Sequence, residues 1–489
     1  MTDQSATALS GATTGPVARL EPDAIGVAQD TVIGMASSAP AATIGLSLAA
    51  LAAATAYGSG PILLLTAIPM LIIANAYRRC NMWNANCGAT FEWVGRAISP
   101  YLGFLAGWLM VAAYIIGTVA EILLLGPSVL AVFQKTPTTN TWAWIAIGTG
   151  VGVVMMIISI VGIRITARTQ VSIALVEYLI LIGLAIAGLF FVLGHHHGSF
   201  PITKGWFSLS GIDGKGDAVA GFLIAVFVYG GWDGTLYVNE EVKHRRVNPG
   251  RAAIIAVALL AIIYTLAQVG FQGVVSPKAL QANSANALVY VAQALGGGFW
   301  AKMMALSIAL SVIATTGTGI VLSARIAYGM ASYRALPGFL GNVSRRFKTP
   351  AIASGVAGVV LIAVFWVYML VTKVQNAFYD VINVTGLLFA IFYVLTALAT
   401  IVYYRRRVVS SAWDFLILGV LPLGAAGFLG WMFVKSLQSA STSSRWSLIG
   451  IVALGVILML IARVFLRSPF FQIPREVDRP DLQRSRHRA

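Results

Sequence analysis

Charge is scarce in this sequence. Asp, Glu, Lys and Arg make up 10% of its 489 residues, against about 25% in an ordinary soluble domain. With 58% of the chain hydrophobic, the solvent it is built for is lipid. Cysteine is nearly absent. Cys80 and Cys87 stand seven residues apart in one loop, match no metal or redox motif, and are expected to be reduced thiols. No phosphate-binding glycine loop, zinc-ligand spacing or nucleophile motif occurs. That speaks against an ATP-driven pump and against a membrane enzyme, and no cofactor is expected. Residues 1–30 are polar and rich in small side chains, so they read as a tail rather than a cleavable signal peptide.

What the chain does have is apolar runs. Twelve lie near residues 31–55, 60–78, 101–133, 142–163, 169–193, 218–240, 250–275, 298–329, 350–372, 379–403, 413–435 and 446–467. Each is long enough to cross a bilayer as a helix, some of them tilted. They are apolar all round, which excludes the alternation of a β-barrel. Twelve crossings leave both termini on one side. With both termini cytoplasmic, 25 of the 33 Lys and Arg fall inside, among them Arg78, Arg79, Arg164, Arg168, Arg345, Arg346 and Arg405 to Arg407. The other eight, Lys135, Lys204, Lys215, Lys278, Lys302, Lys373, Lys435 and Arg445, fall outside. This positive-inside asymmetry supports both the count and the orientation. It also explains the net charge of +16 without nucleic acid. The expected location is the cell membrane, with the lipid bilayer itself as a partner. His195, His196 and His197 in the outer loop can bind metal, but adjacent residues do not easily share one site, and no metal is expected.

Two runs are interrupted. The first holds Gly34-Met35-Ala36-Ser37-Ser38-Ala39-Pro40, where Pro40 donates no hydrogen bond and pushes Ala39 out of helical geometry. Ser37 and Ser38 add hydroxyls. The sixth holds Tyr229-Gly230-Gly231-Trp232-Asp233-Gly234, whose glycines weaken a helix. Each alone reads as a kink or a packing face. Breaks in runs one and six together match transporters built from inverted repeats, where freed backbone groups hold the substrate near the membrane midplane.

At the sixth run the sequence resembles the amino acid–polyamine–organocation superfamily, closest in style to its amino-acid permeases. The resemblance rests on Tyr229-Gly230-Gly231-Trp232-Asp233, on Asn239-Glu240-Glu241-Val242-Lys243, and on Asn248-Pro249 with Arg251-Ala252. Ser323-Ala324-Arg325-Ile326-Ala327-Tyr328-Gly329-Met330, then Leu336-Pro337 and Phe347-Lys348-Thr349-Pro350, resemble that superfamily's eighth helix and the loop after it. There are departures. Met35 to Ser38 replace a common Gly-Ser-Gly run, and the Glu240-Glu241 to Asn248-Pro249 spacing is lengthened. Glu177 stands where some members carry a lysine linked to ion coupling. The resemblance implies an all-α membrane fold of ten helices in two inverted five-helix repeats plus two more. The divisions are a cytoplasmic tail (1–30), a first repeat (31–193), an extracellular loop (194–217), a second repeat (218–404), two further helices (405–467) and a cytoplasmic basic tail (468–489). It also implies secondary active transport of amino acids or amines, often driven by protons, by a monomer or a homodimer.

Carboxylates inside spans are functional candidates because burying them is costly. Glu121, Glu177 and Asp233 are the candidates for proton coupling, and they are also able to meet a substrate ammonium. Tyr114 lies seven residues from Glu121, on the same helix face. Gly34, Ala36, Ser37, Ser38, Tyr114, Tyr229, Gly230, Gly231, Trp232 and Asp233 are the expected substrate-binding residues, with Trp232 an aromatic lid. Glu240 and Glu241, beside Lys243, Arg245 and Arg246, suggest an inner-gate ion-pair network with Arg325. Ser307, Ser311 and Thr315, beside Thr316 and Thr318, form a hydroxyl stripe that lines a sodium site or knits helices together. The expected activity is proton-coupled import of an amino acid. A polyamine or amine exchanger is the alternative, and an ion channel is a more distant one.

Overall fold

The computed structural model describes residues 19–133, 140–196, 199–209, 212, 217–371 and 374–478. Lys135, His197, Lys215, Lys373 and the two chain ends lie outside the described residues. Among the described residues the secondary structure is helical, with one isolated backbone bridge, between Ile25 and Val242.

The order is α1 (Val27–Ala36), α2 (Pro40–Thr55), α3 (Ser59–Trp83), α4 (Thr90–Ala97), α5 (Pro100–Ile122), α6 (Leu125–Phe133), α7 (Thr141–Val161) and α8 (Ile163–Leu193). Then come α9 (Ala218–Val228), α10 (Asn248–Gln272), α11 (Pro277–Ala282), α12 (Ala287–Gly296), α13 (Gly298–Ser332), α14 (Ala351–Val371) and α15 (Val374–Tyr403). Last are α16 (Arg405–Val408), α17 (Ala412–Asp414), α18 (Leu421–Ser439) and α19 (Thr442–Val464). Among the described residues eleven stretches are long and apolar enough to cross a membrane, so this is a multi-pass membrane protein. The first of them runs unbroken in composition over Val27–Trp83, 57 residues. As one straight helix that would be about 85 Å long, far more than the ~30 Å hydrocarbon core.

Side-chain placement follows from the helical period. On α8, Gln170, Ala174, Glu177, Leu181, Leu184, Ala185 and Gly188 recur every three or four residues and are buried, whereas Leu175, Leu179, Ile186 and Phe190 on the other face are exposed. In lipid the apolar face is the outer one and the small and polar face packs inward. Helices α5 and α13 are the most buried and form the centre, while α7 and α19 lie at the periphery. Close crossings need small residues. A Cβ on Gly188 would land on the carbonyl of Gly270, and one on Gly270 on the carbonyl of Ala185, so α8 and α10 touch backbone to backbone there.

Several expected boundaries shift. Helix α1 begins at Val27, not at the end of a tail at residue 30, and Asp30 is fully buried within it. The residues after 468 are not all a free tail. Phe470 is fully buried and stacks on Phe91 at 3.9 Å, Arg96 pairs with Glu476 at 2.5 Å, and the Asp478 amide donates to the Tyr403 carbonyl. The run near 101–133 is two helices that meet around Leu123. Helices α11 and α12 occupy a connection in which no element was expected.

Candidate substrate site between two interrupted helices

Both expected breaks are present, and they touch. Helix α1 stops at Ala36, Ala39 adopts a left-handed φ of 45°, and α2 restarts at Pro40. Helix α9 stops at Val228, and Gly231, at φ 102°, leads into a 3₁₀ turn over Trp232–Leu236. Gly231 is demanded twice over. Its φ suits only glycine well, and a Cβ there would sit on the Ser37 carbonyl of the other break. The Ser37 hydroxyl donates to the Gly231 carbonyl at 2.5 Å and to the Gly34 carbonyl at 2.9 Å, which ties the two interruptions together.

Beside this junction lies a small cavity bounded by Ser37, Ser38 and Thr43 from the first break, by Ala113, Tyr114, Gly117, Thr118 and Glu121 from α5, and by Phe227 and Gly230 from the second break. Thr315 of α13 and Thr385 and Phe389 of α15 complete it. It offers ≈ 40 Å³ to water, enough for roughly three molecules at about 10–15 Å³ each. Phe227 also lines a larger space of ≈ 150 Å³ among α2, α9, α15 and α18, so its ring is the partition between the two.

The hydroxyls that line this cavity have backbone carbonyls within hydrogen-bond distance. Ser38 donates to the Gly34 carbonyl at 3.3 Å, Thr43 to the Ser38 carbonyl at 2.7 Å, and Tyr114 to the Gly231 carbonyl at 3.5 Å. Thr118 donates to the Tyr114 carbonyl at 2.7 Å, Thr315 to the Ala36 carbonyl at 2.8 Å, and Thr385 to the Val381 carbonyl at 2.7 Å. Glu121 is 6% exposed, takes at most a long contact of 3.5 Å from Thr43 on one oxygen, and has no partner on the other.

Of the other predicted residues, Glu177 is fully buried on α8 and accepts the Ala41 amide at 3.1 Å, at the N-terminus of α2. Asp233 is fully buried below the cavity, where its carboxylate accepts the Tyr393 hydroxyl at 2.7 Å and the Tyr237 hydroxyl. Trp232 does not line the cavity. It is fully buried, stacked on Tyr393 and edge-on to Tyr77, each at 5.3 Å. Tyr229 donates to the Leu63 carbonyl at 3.1 Å, and Gly34 packs beneath Thr235 and the Trp232 carbonyl. Ala36 contributes only the carbonyl that Thr315 reaches. In the hydroxyl stripe of α13, Ser307 reaches the Glu177 carbonyl of α8 and Thr315 the Ala36 carbonyl of α1, Ser311 lies against the Glu177 carboxylate, and Thr316 and Thr318 bond back to Val312 and Ala314 within α13 itself.

Glu241 and Arg325 meet as expected. Both are fully buried, and the guanidinium grips the carboxylate through two bonds, Nε–Oε2 at 2.5 Å and Nη2–Oε1 at 3.0 Å. Glu240 is not part of that pair. Its carboxylate accepts the Cys87 amide at 3.1 Å, and Lys243, Arg245 and Arg246 are exposed. Burial pushes the Cys87 thiol well up, and the charges of Glu240 and Glu241 push it the same way. Cys80 and Cys87 are both free thiols. The amides of Ala24 and Ile25 donate to the Glu241 carbonyl, and the Lys243 amide donates to the Ile25 carbonyl. The chain ahead of α1 is thus bound to the segment that follows the second break.

The sequence pattern of the family described as amino acid permease matches residues 29–467. The chain belongs to that family. The superfamily resemblance carried by the motifs around Trp232 and Arg325 is thereby shown. Among relatives of this permease, the large neutral amino acids transporter small subunit 2 of Homo sapiens is 29% identical over 186 residues, 38% of this chain. The match spans 33% of that relative's own length. The low-affinity putrescine importer PlaP of Escherichia coli (strain K12) is 23% identical over 403 residues, 80% of this chain and 84% of that protein. The crystal structure of MhsT in complex with L-phenylalanine superposes with a TM-score of 0.57 at 16% identity, over 85% of this chain and 99% of that one. At that identity the likeness is one of fold.

Of the cavity's walls, Thr43, Ala113, Gly117, Thr118, Phe227, Thr385 and Phe389 escaped the sequence reading. Thr118 had a signal, because Tyr114, Thr118 and Glu121 recur at helical spacing on α5. Thr385 and Phe389 had none, since only the fold brings α15 against the two breaks.

Proposed function

We propose that this permease is a secondary transporter that imports a small solute bearing an amino group, an amino acid or an amine, across the cell membrane by alternating access. The observation that carries this is the contact of two interrupted helices beside one small cavity whose walls include hydroxyls and the Glu121 carboxylate. Exposed backbone at membrane depth is stable only where it lines such a space, and half-helix ends are where solutes and coupling ions bind.

The 57-residue first stretch is long enough for two crossings, giving twelve in all, with spans one to five and six to ten as inverted repeats. The excess of Lys and Arg in alternate loops supports cytoplasmic termini. Glu241 with Arg325, and the N-terminal segment bound across them, would then close the inner side. Glu177 is the proposed carrier of the coupling proton. Its carboxylate lies between the first break and α13, and a buried carboxylate changes charge only by gaining a proton or a cation.

The test is uptake of labelled amino acids and amines by proteoliposomes with and without an inward proton gradient. Saturable uptake that rises with the gradient, and that falls in Glu177→Gln, supports the reading. Unsaturable flux with large unitary currents would instead make the protein a channel.

A further inference from the structure

We infer that the solute is an amine without a carboxylate, recognised through its ammonium group by Glu121. This rests on the transport reading above and narrows it. An amino acid in a site of this kind needs two receptors, one for each charge. A carboxylate needs hydrogen-bond donors, ideally at the positive end of a half-helix. The structure has already filled that end from within. Of the first residues of α2, Pro40 has no N–H, Ala41 gives its N–H to the Glu177 carboxylate at 3.1 Å, and Ala42 does not line the cavity. At the break itself, Ser37, Ser38 and Ala39 spend their amides on the carbonyls of Ile33, Met35 and Ala36. On the opposite break, the Gly230 amide donates to the Phe227 carbonyl at 2.8 Å and the Gly231 amide to the Tyr393 hydroxyl at 3.4 Å.

The side chains repeat the pattern. A hydroxyl has one proton to donate; the Ser37, Ser38, Thr43, Thr118, Thr315 and Thr385 hydroxyls have backbone carbonyls to take theirs, and the Tyr114 hydroxyl lies against the Asp233 carboxylate and the Gly231 carbonyl. No Lys, Arg or His lines the space. What the walls offer is lone pairs and one carboxylate, Glu121, with an oxygen that nothing in the described protein satisfies. A nine-tenths-buried carboxylate is stable only when neutralised or paired. An ammonium supplies both the charge and the three donors that the hydroxyl oxygens and Glu121 lack. The Glu177 carboxylate stands at the place a substrate carboxylate would take, and would repel a second one.

The experiment compares solutes that differ only by that carboxylate. Purified protein is melted with putrescine against ornithine, cadaverine against lysine, isobutylamine against valine and tyramine against tyrosine, and the same pairs are followed in proteoliposome uptake. A ligand that binds the folded state alone raises the melting temperature. The decarboxylated member of at least one pair is expected to bind and enter at least about tenfold better than its partner, a difference of about 1.4 kcal/mol. Glu121→Gln should lose that binding while its melting temperature without ligand stays near that of the parent. Glu177→Ala, which vacates the α2 terminus, should narrow the gap between the members of a pair. If it fails to fold, Glu177→Gln, which keeps an acceptor for Ala41 but removes the charge, serves the same purpose. An amino acid that binds as well as its amine, or Glu121→Gln binding amines unchanged, overturns the inference and leaves transport standing. If no member of any pair binds or enters, the inference and the transport reading fall together.

Discussion

Removing Arg325 strikes the one place among the described residues where two full charges are buried against each other. Arg325 and Glu241 are both fully buried, and the guanidinium holds the carboxylate through contacts of 2.5 and 3.0 Å. Arg325→Ala would leave Glu241 buried without a cation. Breaking such a pair costs about 3–5 kcal/mol in soluble proteins. The lower end applies here, because a chain unfolded within the membrane still finds polar partners. Replacing both groups by apolar ones of similar size, Arg325→Met with Glu241→Leu, removes the unpaired charge and should restore most of the stability. It should not restore the tie between α13 and the segment after the second break, because the two-point grip is gone. Cys87 reports that state. It is fully buried, its amide is held by Glu240, and its raised pKa keeps it a poorly reactive thiol. In a Cys80→Ala background, the melting temperature and the rate of maleimide labelling at Cys87 would be followed in the parent, the single variant and the double variant. The single variant is expected to melt earlier and label faster. The double variant should melt near the parent yet still label fast. A double variant as unstable as the single, or a single variant that neither melts earlier nor labels faster, would refute the argument.

Three further perturbations are as direct. Gly231→Ala forces a side chain into a left-handed backbone and onto the Ser37 carbonyl, a strain of about 1–3 kcal/mol, so a lower melting temperature and loss of uptake are expected. Phe227→Ala removes the partition between the two spaces, and should raise the solute concentration needed for half-maximal uptake, measured in proteoliposomes. Phe470→Ala removes the stacking of Phe470 on Phe91, worth about 1.5–3 kcal/mol for a buried aromatic side chain, so a lower melting temperature is expected.

Most of the architecture was legible because lipid imposes a simple rule: each crossing must be long, apolar and helical. The two breaks were legible for a similarly local reason, since Pro40 and the Gly230-Gly231 pair disfavour helix whatever surrounds them. Chemistry that depends on who meets whom was less so. Glu121 was legible as a carboxylate within a span, but its place on the cavity depends on the fold, and the meeting of Glu177 with the Ala41 amide joins residues 136 apart in the chain. Trp232 looked like a lid because it follows a break, and only the crowding of Tyr77 and Tyr393 turns it away. Asp30 was lost to the tail, because the polar residues around it hide the first turn of α1.

The bridge between Ile25 and Val242 sets a population. Its three backbone hydrogen bonds, from Ala24, Ile25 and Lys243, each contribute about 1 kcal/mol net. Together they favour the latched arrangement by roughly a hundredfold. A permease held this way spends about one part in a hundred of its time unlatched, before anything at the Glu241–Arg325 pair is counted. Its resting ensemble is therefore almost wholly of one kind, and a solute that is to release this latch must bind the unlatched form more tightly by at least that factor.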